Sequence, residues 1–261
     1  MKIALCLYGH AGINTFASTR TENDISKESE QASTNPSHAA HYYINYLFKR
    51  YDVDTFIHSW SVNQSKRLHQ LYSPKKALIE PQIEFSQSLE PYGIVGADMD
   101  KWDISASARF GYELLLPSRK TTENIMTEMS REAYRTQSRW YSTKQSVLLK
   151  AEHEKQNNFK YDFVLLTRLD CIFGAPIVFE DLNPSKIYAS ARIGRLDIDH
   201  ALHDFWFIAN SEVMDQFGAL YDSITDYCIR PTFACREHIR AINQEENLKA
   251  YLEHGRHYRK A

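Results

Sequence analysis

Tyr161-Asp-Phe-Val-Leu-Leu-Thr-Arg-Leu-Asp170 passes from an unbroken apolar run, Phe163 to Leu166, directly into a cation and a carboxylate. A short apolar run without alternation suits a strand buried on both faces, as in a parallel sheet covered by helices. Residues 161–167 are therefore read as that strand. Before it, Trp140, Val147, Leu148 and Ala151 fall at i, i+7, i+8 and i+11, one apolar stripe of a helix over about 138–156. A helix feeding a buried strand is half of a βαβ unit.

The same grammar extends outward. Lys2-Ile-Ala-Leu-Cys-Leu-Tyr8 is a second buried strand, stopped by Gly9. Residues 10–37 are polar without a sustained period and read as a long loop, a kind often functional. Ser37 is the expected N-cap of a helix over about 38–50, in which Tyr43, Tyr46 and Leu47 share a face. Residues 53–58 and 75–80 are further strands, the second closed by Pro81. Pro, Gly and Ser interrupt every periodic stretch of 81–135, a poorly periodic insertion. Beyond the opening stretch come strands near 187–190 and 204–209 and a helix from Ser211 with Met214, Phe217 and Tyr221 inward. A terminal helix over 245–254 is expected to stop at Gly255. Strands alternating with helices predict one α/β domain over 1–261, with a mostly parallel, mixed sheet flanked by helices on both faces.

Composition narrows the function. At 261 residues and 43% apolar content, the chain can bury one substantial core. Its net charge of -2 offers no cationic excess for a nucleic-acid backbone, which argues against that partner. No apolar run nears the ~20 residues of a membrane span, and the N-terminus lacks a secretory pattern, so a cytoplasmic protein without a transmembrane segment is expected. The four cysteines, Cys6, Cys171, Cys228 and Cys235, have neither CxxC spacing nor the density of a disulfide scaffold, and are read as reduced.

Ligands of open α/β sheets lie beyond the carboxyl ends of the strands. Those ends read Tyr8-Gly9-His10, His58-Ser59-Trp60 and Thr167-Arg168-Leu169-Asp170. Arg168 and Asp170, two apart on an extended chain, leave on one side. The guanidinium suits a diphosphate, and the carboxylate suits Mg²⁺ or Mn²⁺, whose shell the phosphates complete. The plainer alternative is that both cap the strand and pair with surface neighbours.

The stretches 2–9, Tyr51-Asp-Val-Asp-Thr-Phe-Ile-His-Ser-Trp60 and 161–170 resemble the three strand ends of small GT-A glycosyltransferases of capsule, lipopolysaccharide and viral glycan clusters. The likeness takes in Trp140-Tyr-Ser-Thr-Lys144, Asp204-Phe-Trp-Phe-Ile-Ala209 and 245–255, most of the chain outside 81–135. It implies a GT-A, Rossmann-like fold and sugar transfer from a nucleotide-sugar donor to a glycan acceptor, with Mn²⁺ or Mg²⁺ as cofactor and peripheral membrane association left open. By this resemblance Tyr8 and Gly9 contact the base or ribose and His58 lies by the nucleotide. Tyr141, Ser142 and Lys144 approach the donor phosphates or sugar, with Arg168 at the diphosphate and Asp170 on the metal. The family's Asp-x-Asp motif is altered, since Arg168 stands where the first Asp is expected. Asp204 is the candidate general base for the acceptor hydroxyl, with Asp199 and His203 competing. Tyr8 as the end of a buried strand, His58 as a structural histidine, Tyr141 in a buried stripe, Lys144 as a solvated lysine and Asp204 as a strand cap are the plain alternatives. A transferase of sulfate, phosphate or phosphoramidate would want a phosphate-cradling glycine loop, and Gly9-His-Ala-Gly12 is too short and sparse for one. A non-catalytic glycan-binding module is the third possibility.

Overall fold

Ile3, Leu5 and Leu7 leave one face of β1 (Lys2–Gly9) and Ala4, Cys6 and Tyr8 the other. All six are buried, so both faces of the sheet need a cover. The computed structural model describes residues 1–13, 33–34, 36–92, 122–171, 173, 176–191 and 202–252, an α/β architecture with a seven-stranded mixed sheet.

β2 (Gly12–Ile13) and β3 (Ser33–Thr34) form a two-stranded antiparallel ladder that draws together the ends of the segment read as a loop. α1 (Pro36–Tyr43) starts on a proline, whose missing N–H costs nothing there. Ser37 therefore lies inside the first turn and is not the cap; its Oγ accepts from Arg67 Nη2 at 2.6 Å. A π-helical turn, Ile44–Phe48, continues α1, with Tyr43 and Leu47 buried and Tyr46 exposed. Then come β4 (Asp52–Ser59), α2 (Ser65–Tyr72), β5 (Lys76–Ile79), α3 (Thr122–Asn157), β6 (Phe163–Arg168), β7 (Ile187–Ala191) and β8 (Leu202–Ala209). α4 (Ser211–Gly218), capped by the Asn210 side chain on Val213 N, runs into a 3-10 segment, Ala219–Asp226, which carries Tyr221. α5 (Pro231–Ala241) and β9 (Leu248–Leu252) complete the described chain.

The strand order is β5-β4-β1-β6-β8-β7-β9. β5, β4, β1 and β6 form a parallel block, β8 runs against both its neighbours, and β9 is parallel to β7. One face is covered by Trp140 and Val147 of α3, Met214 and Phe217 of α4 and Ile239 of α5. The other is covered by Ala39, Ala40 and Tyr43 of α1 and Leu68 and Tyr72 of α2.

Two further expectations are corrected. α3 begins at Thr122, inside the stretch read as aperiodic, and Leu148, assigned to its apolar stripe, faces solvent at 42% exposure. The reason is that α3 buries polar side chains every fourth residue, Ser142, Ser146, Lys150 and Glu154, so apolar spacing misjudges its inner face. The expected terminal helix is absent: Glu245–Asn247 is one 3-10 turn, and 248–252 is β9. Asn243 takes a left-handed conformation (φ 57°) after α5, and Arg236 and Arg240 of α5 both pair with Glu245. That turn delivers Leu248 to the edge of β7, whose ladder outweighs local helix propensity. Gly255 and residues 93–121 lie outside the described residues.

A methyl group on Gly218 would lie 2.8 Å from Val147 Cγ1 and 2.9 Å from its Cβ, on a β-branched side chain with little freedom to move. Gly218→Ala is expected to cost about 1–3 kcal/mol by overpacking the α3–α4 contact. Chemical denaturation checks this, and an unchanged midpoint refutes the contact.

Candidate functional site

From β1 the chain steps outward to β4 and then β5, and α3 carries it back to β6 on the other side of β1. The strand order thus reverses between β1 and β6, the place where open α/β sheets leave a crevice at their carboxyl edge. Tyr8 stands opposite Arg168 in the register there, with Gly9 and Asp170 just beyond. β8 runs the other way, so its first residues, including Asp204, arrive at the same edge.

Gly9 has φ +99°, which L side chains rarely adopt, and nothing lies within 4 Å of where a Cβ would stand. Its N–H donates to Ser142 Oγ at 3.0 Å. Ser142 Oγ is 2.6 Å from His58 Nδ1, and His58 Nε2 is 3.0 Å from Glu80 Oε1, so one chain of contacts joins β1, α3, β4 and the end of β5. With Ser142 accepting from Gly9 and donating to Nδ1, the imidazole is neutral and donates from Nε2 to Glu80. Burial lowers the pKa of His58, more than Glu80 raises it, which agrees with that neutral form. Tyr141 donates to the same Glu80 oxygen at 3.4 Å, and its ring stacks on Trp60 with centroids 5.5 Å apart. Next to Gly9, burial also lowers the pKa of His10.

Tyr8 is buried, and its hydroxyl donates to the Asp204 carbonyl oxygen at 3.0 Å. Arg139 of α3 donates from Nη2 to the Tyr8 hydroxyl, its guanidinium lies 4.8 Å from the ring centroid, and its Nε is 2.8 Å from Asp204 Oδ2. Burial pushes the Tyr8 phenol well up, so it stays protonated. On β6, Arg168 forms a two-pronged ion pair with Asp170, Nε to Oδ1 at 2.7 Å and Nη2 to Oδ2 at 2.5 Å, and its guanidinium lies over the Phe205 ring. Burial opposes the Arg168 charge, and Asp170 more than restores it.

Tyr8, Gly9, His58, Tyr141, Ser142, Arg168 and Asp170 thus share the carboxyl edge of the sheet. Asp204 reaches it as well, but its carboxylate neutralises Arg139. Lys144 pairs with Asp222 of the 3-10 segment, so its ammonium is already engaged. His203 stacks on Phe205, with centroids 5.1 Å apart, and Asp199 lies outside the described residues. Arg139 and Glu80 escaped the sequence reading. The polar spacing Ser138, Ser142, Ser146 along one helix was a signal that its inner face meets polar groups.

Among the described residues no group of three His, Cys, Asp or Glu converges as a metal cage. Asp170 is a single carboxylate, which fits a hard cation that brings phosphate oxygens with it. All four cysteines are buried, and no helix of the described residues is long and apolar enough to cross a membrane.

Two buried histidines and one half-buried one set an acid limit on stability. His10, His58 and His238 have folded pKa values below the ordinary 6.5 because burial disfavours their charge. The unfolded chain therefore binds more protons than the folded one as pH falls through 6.5, and stability is full above that value and declines below it. The melting temperature is expected to drop between pH 7 and pH 5.5, less steeply in His58→Gln; a flat profile in the native chain contradicts this. No protein-family model and no curated protein matches the chain.

Proposed function

We propose that the chain is a GT-A-type glycosyltransferase that moves a sugar from a nucleoside-diphosphate donor to a glycan hydroxyl. The observation carrying this reading is the register that sets Tyr8 opposite Arg168 at the reversal of strand order, with Gly9 and Asp170 next outward. As the sugar–phosphate bond breaks, negative charge grows on the leaving diphosphate. A fixed guanidinium, Arg168, stabilises that charge more than it stabilises the ground state. A divalent cation, when bound, supplies Lewis-acid neutralisation of the same oxygens, and Asp170 is the residue to hold it. Gly9 leaves room for the donor at the end of β1, and the Ser142–His58–Glu80 chain fixes that rim. The Trp60–Tyr141 stack backs the rim with an aromatic wall.

Asp204 takes a positioning role in this reading: it holds Arg139 against Tyr8 and so orients the floor beneath Arg168. Lys144, paired with Asp222, is given no donor contact.

Thermal unfolding with UDP, GDP, CDP and their sugars, each with Mn²⁺ or Mg²⁺, tests the proposal. A ligand that binds only the folded chain stabilises it by about 2.7 kcal/mol at a hundred times its Kd. No shift with any of them refutes the donor site. Mass spectrometry of products then identifies the transfer, and Asp170→Asn separates an enzyme, which loses rate while folding, from a glycan-binding module, which does not respond.

A further inference from the structure

α1, the π-helical turn that continues it and α2 form one layer over the sheet. Arg67 Nη2 of α2 donates to Ser37 Oγ at 2.6 Å, and the Tyr72 hydroxyl donates to the Pro36 carbonyl oxygen at 3.3 Å. The charge of this layer is one-sided. The chain has 33 acidic residues in 261, yet none falls in 36–51 or 55–79, which hold six lysines and arginines. Lys75 and Lys76 pair with Asp54 and Glu152. Lys49, Arg50, Lys66 and Arg67 are exposed on the layer's outer surface. Lys49 donates to Asn45 Oδ1 at 2.7 Å and Arg50 lies 5.5 Å from the Tyr51 ring centroid, contacts that leave the positive charge in place. Glu180, which accepts from the Tyr51 hydroxyl at 2.6 Å, borders the face.

Ile44 and Tyr46, at 37% and 44% exposure, protrude from the same turn that ends in Lys49 and Arg50. One exposed apolar side chain is ordinary. Apolar groups set among cations, with no acid on either helix, make the pattern of a surface that enters the headgroup boundary while its cations stay among the phosphates. Lys66 and Arg67 begin α2 just after β4, at the carboxyl edge of the sheet, whereas Lys49 and Arg50 precede β4 at the amino edge. The cations therefore span the height of the sheet as a broad face. We infer that this face docks the protein on a bilayer containing anionic lipid. A second copy of the chain would meet it with like charge, and a nucleic-acid strand would supply phosphates but no apolar layer for Ile44. Laid on this face, the protein keeps the crevice at the carboxyl edge open along the membrane, and docking does not depend on what the crevice holds.

Sedimentation of the full chain with vesicles of phosphatidylcholine alone, and of phosphatidylcholine and phosphatidylglycerol in equal parts, tests this. Each cation at an anionic surface contributes about fivefold to partitioning, so the native chain should prefer the anionic vesicles by roughly 10²–10³-fold at low salt. High salt should remove most of that preference. Lys49→Glu with Lys66→Glu should weaken binding by at least about 25-fold. Ile44→Ser with Tyr46→Ser should weaken it by at least about fivefold. Arg131→Glu with Lys155→Glu makes the same change in net charge at exposed positions of α3, which covers the other face, and should leave binding within about twofold. Melting temperatures matched to the native chain establish that the variants fold. Equal sedimentation with both vesicle types, or equal losses in the two charge-reversal pairs, overturns the inference. So does tighter binding to single-stranded RNA than to anionic vesicles at the same phosphate concentration, which would make the face a nucleic-acid surface.

Discussion

For the proposed transfer reaction, Arg168→Ala is expected to lower kcat/KM by roughly 10²–10³, the loss that follows removal of one stabiliser of developing charge. The guanidinium lies over the Phe205 ring, which keeps it at the crevice when Asp170 turns to a cation and the guanidinium to the diphosphate. Lysine at this position should recover little, because a point charge cannot match a planar fork against diphosphate oxygens. The fold should survive the change, since Arg168 ends its strand and is partly exposed. Steady-state kinetics alongside far-ultraviolet circular dichroism separates the outcomes. A native-like fold with kcat/KM within about threefold of the native chain would remove Arg168 from the reaction.

Lys150→Ala should have the largest effect on stability, about 3–5 kcal/mol. Lys150 is fully buried on α3, with its ammonium 3.0 Å from Glu154 Oε2, 2.6 Å from Ser211 Oγ and 2.5 Å from Asp215 Oδ1. Glu154 in turn accepts from Ser211 Oγ at 2.6 Å and from the Tyr161 amide at 2.9 Å. The cluster thereby ties α3 to α4 and to the approach to β6, at the amino edge of the sheet, opposite the proposed donor site. Burial pushes the Glu154 carboxyl up, but hydrogen bonds from Ser211, the Tyr161 amide and Lys150 outweigh it and hold the group below the usual range. Removing Lys150 leaves that buried carboxylate without its closest cation. For a chain of this size a loss of 3–5 kcal/mol lowers the melting temperature by roughly 6–20 °C. Lys150→Met with Glu154→Gln should recover part of it, because glutamine still accepts from Ser211 and Tyr161 and no orphaned charge remains. A single-variant cost below about 1 kcal/mol would mean that water or Lys160, 3.1 Å from Glu154 Oε2, already compensates the carboxylate.

The parallel block was legible because burial on both faces leaves a plain mark. Phe163 to Leu166 and Ile3 to Leu7 are continuous apolar runs, and each ends where the chemistry begins. From those ends the convergence of Tyr8, Gly9, His58, Arg168 and Asp170 on one edge could be anticipated. What escaped the sequence obeyed other rules. The inner face of α3 is polar because it meets strand ends and a buried ion cluster, so its apolar period was diluted and its first four turns went unread. Residues 248–252 form a strand because the edge of β7 receives them, a long-range cause with no local trace beyond the alternation of Leu248, Ala250 and Leu252. Arg139 was invisible for a related reason, since only the fold brings a helix residue, a strand tyrosine and Asp204 of β8 together. For Asp204 the carboxylate was found, but its partner was not.

Amide spectra of isotope-labelled chain provide the most direct test, recorded with Mn²⁺ and the nucleoside diphosphate that stabilises it most. Paramagnetic broadening at Gly9, His10, Leu169 and Asp170 is predicted, with Lys2, Asp52 and Asp162 at the opposite edge of the sheet left sharp. Broadening centred on that opposite edge, with Gly9 and Asp170 unaffected, would contradict a donor site between β1 and β6.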